Sequence, residues 1–101
     1  MALFFALHTP ISDPAAGWEF FAKSAPALAA AMEAGQTPAK AITTWNPSAY
    51  GRPEYVFCLW EAEKAEDVMA VLRESGLAEH VTADVMQVDA IDWKELGRAA
   101  Q

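Results

Sequence analysis

The sequence predicts one α+β domain, with two helices laid over one face of a four-stranded antiparallel sheet. Three observations predict it. Short runs of strand character and longer runs of helical spacing follow one another in the order βαββαβ. The breaks between them carry turn and cap residues. The chain has 101 residues, 53% of them hydrophobic, which suits a single domain with a real core.

Ala2 to Thr9 is compact, apolar and aromatic, and Pro10 stops it, so it reads as the first strand. "SDPAAGWEFF" starts a helix. Asp13 can cap it, and Pro14 fits the first turn, where a missing N–H costs nothing. Trp18, Phe21, Ala25, Leu28, Ala29 and Met32 then recur three and four apart as one buried stripe. Pro26 is expected to kink this helix, and Gly35 to end it. Pro38 to Trp45 reads as the second strand and Glu54 to Glu61 as the third. "NPSAYGRP" is turn chemistry between them, and the pair reads as a hairpin.

"AEKAEDVMAVLRESG" puts Ala65, Val68, Met69 and Leu72 on one helical face and closes with Gly76. Its acids lie early and Arg73 late, as the helix dipole prefers. Val81 to Val88 is the fourth strand, and residues 91–101 are a short terminal helix or tail.

The net charge of −7 builds no basic stripe, which argues against nucleic acid and against an anionic membrane surface. Cys58 is the single cysteine, so no internal disulfide forms. "MALFFALHTPISDP" is short, lacks a basic region and is broken by proline, so neither a signal peptide nor a membrane span is expected. The expected setting is cytoplasmic.

The order βαββαβ is the split-βαβ pattern of the ferredoxin-like sandwich. Its helices cover one sheet face and leave the other open. On the fourth strand, Val81, Ala83 and Val85 are expected to face the helices. His80, Thr82, Asp84, Met86 and Val88 then fall on the open face. On the first strand, Phe4, Ala6 and His8 carry the polar residue and are assigned to the open face, against Leu3, Phe5 and Leu7. An apolar open sheet calls for a partner, and a homodimer closing two sheets face to face is expected.

With this element order, the strand "YVFCLWEAE" leading into an acidic helix, and the final strand "VTADVMQVD", the chain resembles the dimeric α+β barrel superfamily. It is most similar to the small stress-responsive-barrel-type members. The resemblance covers roughly Ala2 to Asp89. It implies a small-molecule ligand between the sheet and its cover. The superfamily's activities span heme-dependent and cofactor-free enzymes, cyclases, isomerases and metal binders, and fold alone does not choose among them.

His8 ends the first strand and His80 and Asp84 begin the fourth, its antiparallel neighbour. The three are therefore expected to share one face near one end of the sheet. Three readings compete. They are solvated residues at a strand rim, in a non-catalytic structural or stress-related dimer. Or they are an acid–base site without cofactor, in which an imidazole oriented by a carboxylate serves cyclisation, isomerisation or hydrolysis of a small apolar substrate. Or they hold a divalent transition metal (nickel, iron or zinc), since two His and one carboxylate suit such ions. Heme would need a large apolar slot in addition.

Phe4, Trp45, Tyr55, Trp60 and Met86 are candidate pocket walls, each otherwise core or dimer contact. Arg52 could hold a substrate carboxylate, or lie solvated beside Glu54. Trp18 is expected in the core, and Trp93 over the barrel mouth or in a dimer contact. Cys58 is expected to be a buried, inert thiol.

Overall fold

A computed structural model describes residues 1–11 and 13–100. The elements follow the expected order: β1 (Ala2–His8), α1 (Pro14–Glu33), β2 (Ala39–Trp45), β3 (Val56–Ala62), α2 (Ala65–Glu74), β4 (Asp84–Val88) and α3 (Trp93–Ala99). Single 3-10 turns occupy Ser48–Tyr50 and Leu77–Glu79. The four strands form one antiparallel sheet in the order β2-β3-β1-β4.

Local chemistry sets the boundaries. The Asp13 carboxylate accepts the Ala15 N–H at 3.0 Å, and Pro14 opens α1. The helix runs on through Pro26 as one element, so the proline does not end it. Asp92 caps α3 in the same way, accepting from the Lys94 N–H at 2.9 Å. β4 begins at Asp84 rather than Val81. Residues 77–79 first make their 3-10 turn, and Val81 joins the sheet only through an isolated bridge to Pro10.

The two helices cover the same sheet face unequally. α2 packs closely: Val68, Val71 and Leu72 are buried against Ala62, Trp60 and Phe4. Small residues allow this approach, with Ala6, Ala39 and Ala62 all on the helix-facing side. α1 stands off. Of its expected stripe only Met32 is buried, and the other five are half-exposed or exposed. All six line a cavity instead.

The opposite face is bare. Leu3, Phe5 and Leu7 share it with Phe57, Leu59, Met86 and Val88, by the register of β1 with β3 and β4. A bulge at Ile42 shifts β2, and its last residue Trp45 comes to the same side opposite Phe57. Phe5 stacks on Phe57 at 5.9 Å and meets Trp45 at 6.5 Å. Every residue of α3 is exposed, Trp93 to 80%.

This register corrects one expectation. Phe4, Ala6 and His8 face the helices, and Leu3, Phe5 and Leu7 form the open side. The expected assignment followed polarity and sent the histidine outward. The structure instead sets Ala6 between Cys58 and Val85 beneath the helices, buries Phe4 there, and gives His8 a cavity to border.

Candidate functional site

The cavity lies between α1 and the sheet and has a volume of about 200 Å³. Trp18, Phe21, Ala25, Leu28, Ala29 and Met32 roof it. Ala41, Thr44, Val56, Cys58 and Trp60 form its floor, with His8, Pro10, His80 and Val81 at one end. Glu33 is the one charged residue on the wall, and its carboxylate pairs with Lys40 at 3.0 Å. The lining is otherwise apolar, apart from a few polar groups that the strands place.

His8 is 3% exposed. Its Nδ1 lies 3.0 Å from the carbonyl oxygen of Thr82. A carbonyl only accepts, so the neutral ring carries its proton on Nδ1 and leaves the Nε2 lone pair free. Among the described residues Nε2 has no hydrogen-bond partner. Burial pushes the imidazole below its ordinary value, and the bond to Thr82 draws it part of the way back. The ring is therefore neutral at pH 7, the form that accepts a proton.

Trp60 is 2% exposed, and its indole N–H has no partner among the described residues. An unpaired buried donor costs free energy unless something fills its place. Cys58 lies between these two groups on the floor. Burial raises its thiol above the usual range, against the pull of the Thr44 hydroxyl 3.2 Å away and of the neighbouring indole, which falls short of hydrogen-bond geometry. It is the buried free thiol that the sequence suggests. His8 pairs with Val56, four residues before Trp60, so about 13 Å of strand separates the two polar positions.

His80 sits past the 3-10 turn rather than in β4, with its ring stacked on Phe20 at 4.6 Å. It reaches the same end of the cavity as His8. Asp84 does not. Its partner across the ladder is Leu7, so its side chain lies on the open face and His8 on the other. The expected grouping of His8, His80 and Asp84 is thus divided by the sheet. Among the described residues no group of three His, Cys, Asp or Glu could hold a metal ion.

The candidate pocket walls divide similarly. Trp60 lines the cavity, and Phe4 lies in the core beside it without reaching the lining. Trp45, Tyr55 and Met86 stand on the open face. Arg52 is exposed, bonded to Glu54 at 2.7 Å and lying over the Tyr55 ring at 4.9 Å. Trp18 is cavity roof rather than core, set edge-on against Phe21 at 5.5 Å. Thr44 was missed from sequence. Its exposure on the cavity side depends on the Ile42 bulge, which the alternation of β2 does not announce.

No protein-family model and no curated protein matches the chain. A solved structure does: SnoaB from Streptomyces nogalater, described as a cofactor-independent oxygenase. The superposition has a TM-score of 0.51 at 13% identity, covering 90% of this chain and 93% of that one. The likeness shows the fold: a ferredoxin-like α+β sandwich, four antiparallel strands with helices on one face. The residues that line the cavity beneath α1 all belong to this one chain, and the opposite sheet face takes no part in it. Among the described residues, no helix is long and apolar enough to cross a membrane.

Proposed function

We propose that this protein is a cofactor-independent enzyme that moves a proton on a small, neutral, apolar substrate held beneath α1. His8 is its base. The observation that carries this reading is the buried imidazole whose Nδ1–H is committed to the Thr82 carbonyl, leaving Nε2 to accept a proton at the cavity end. The lining supplies no cation for a carboxylate or phosphate, so the substrate is uncharged.

Trp60 completes the arrangement once its indole N–H, closed off in this structure, turns into the cavity. As His8 takes a proton from the substrate, negative charge gathers on the substrate's oxygen. An indole N–H held in an apolar wall stabilises that oxygen more than water would. A substrate touching both groups is extended, with an acidic C–H or O–H toward His8 and a carbonyl-type oxygen toward Trp60. Proton return gives isomerisation or cyclisation. A second reading, oxygenation, is favoured by the likeness to SnoaB. In it the deprotonated substrate supplies the electrons: its carbanion carbon bonds to molecular oxygen, and the peroxide anion takes back the proton from His8 to give a hydroperoxide.

The same proposal includes a homodimer through the open sheet face. Its support is the continuous apolar surface from Trp45 across Phe57 and Phe5 to Met86, too large to leave wet on a small chain.

The test is exchange of acidic C–H protons in heavy water, followed by NMR on a panel of neutral ketones and phenols. Protein-dependent exchange that disappears in His8→Gln is expected. Exchange equal in wild type and His8→Gln would remove His8 from the role. Oxygen uptake under air then distinguishes the oxygenase from the proton-transfer reading.

A further inference from the structure

The β1–β4 register continues past the ends of both strands. Leu7 faces Asp84, and Pro10 faces Val81, so Thr9 stands opposite Thr82. Two bonds frame the Pro10–Val81 pair: Ile11 N–H to the His80 carbonyl at 2.9 Å, and Thr82 N–H to the Thr9 carbonyl at 2.8 Å. Neither needs an N–H from Pro10. In a regular antiparallel ladder the next bond would run back from the Thr9 N–H to the Thr82 carbonyl. It does not. The Thr9 N–H donates to Thr82 Oγ1 at 3.1 Å. The Thr82 carbonyl receives His8 Nδ1–H instead. The two hydroxyls close the exchange at 2.6 Å.

We propose that Thr82 is a positioning residue for His8: its hydroxyl substitutes for its own carbonyl in the ladder and so releases that carbonyl to fix the imidazole tautomer. A side chain of another kind leaves the Thr9 N–H without an acceptor. That N–H then turns to the Thr82 carbonyl, in competition with His8. The ring loses its single orienting contact and samples the other tautomer, whose Nε2 carries a proton and accepts nothing. Serine keeps the hydroxyl; valine keeps the branched shape and lacks it.

The value of this device for catalysis rests on the reading of His8 as a base, but its geometry does not. The experiment is therefore nitrogen-15 NMR of the imidazoles of the full chain, read without turnover. The sequence holds only two histidines, and His80→Gln identifies the signals of His8. Wild type and Thr82→Ser are expected to show the Nδ1–H tautomer. Thr82→Val is expected to shift the ratio toward Nε2–H by roughly fivefold, the scale of one ordinary hydrogen bond. Thr82→Ala, equally without a hydroxyl, serves if the valine variant folds poorly. An unchanged tautomer in the hydroxyl-free variants, or a serine variant that behaves like valine, overturns the proposal. A shifted tautomer with undiminished proton exchange would leave Thr82 in place and remove His8 as the base.

Discussion

The Phe20 ring lies on the His80 imidazole with centroids 4.6 Å apart and planes tilted by 29°. The far edge of the same ring would meet a Cβ on Gly76 at 2.9 Å. Gly76 has φ +86°, in the left-handed region. Three residues from three segments thus fix how α1 sits at the histidine end of the cavity.

Gly76→Ala is expected to destabilise the fold twice over. The left-handed backbone costs about 1 kcal/mol for a residue with a Cβ, and displacing the stacked ring adds a similar amount, about 2 kcal/mol together. Gly35 has φ +72° with nothing within 4 Å of its position, so Gly35→Ala carries the backbone cost alone. Urea unfolding of the two variants measures the difference.

His8 makes stability depend on pH. The unfolded chain takes up the proton at the ordinary value near 6.5, and the folded chain holds out to lower pH because the ring is buried. Between those values the unfolded state binds more protons. Stability from this group is therefore full above about 6.5, falls as pH drops through that window, and levels off below the folded value. One proton gives a slope of at most about 1.4 kcal/mol per pH unit. Unfolding free energies at pH 7.5 and 5.5 should diverge less in His8→Gln than in wild type; equal divergence would refute the buried neutral ring.

Trp60→Phe separates structure from binding. Lost ring volume and the removed unpaired donor oppose one another, so stability should change by less than about 1.5 kcal/mol. Affinity for a carbonyl-bearing substrate should fall by about tenfold or more, as one hydrogen bond to developing charge is lost. Calorimetric unfolding and ligand titration read the two effects; unchanged affinity would take Trp60 out of the site.

Leu59 faces both Phe5 and Thr43 on the open side of the sheet. Leu59→Glu would place a carboxylate there, twice over in a symmetric pair. Dimer affinity is expected to drop by about a hundredfold or more. Sedimentation at micromolar concentration checks it: wild type as a dimer, the variant as a folded monomer. A monomeric wild type would end the dimer proposal.

Periodicity carried most of the architecture. The α1 spacing named six cavity-roof residues, and the α2 spacing named Val68 and Leu72 as inward. It failed on β1 because both of its faces are apolar there. Tertiary register decides that strand: Ala6 aligns between Cys58 and Val85, and Phe4 beside Trp60, under the helices. The same slip moved His8 across the sheet and joined it to Asp84. His80 to Val85 alternates well enough to resemble strand. The Gly76 turn and the Pro10 bridge, both tertiary matters, keep His80 out. The role of Thr82 had no signature at all, since it depends on two hydroxyls 73 positions apart in the chain.

The unequal seating of the two helices has a kinetic side. With α2 locked to the strands and α1 arched over empty space, the easiest excursion of this fold is to swing one arch outward while the rest stays intact. The backbone N–H groups of α1 (Pro14–Glu33), its prolines apart, are expected to exchange with solvent before those of α2 (Ala65–Glu74). If the proposed substrate binds beneath α1, it would enter by that swing, and slower exchange in α1 alone would report its arrival.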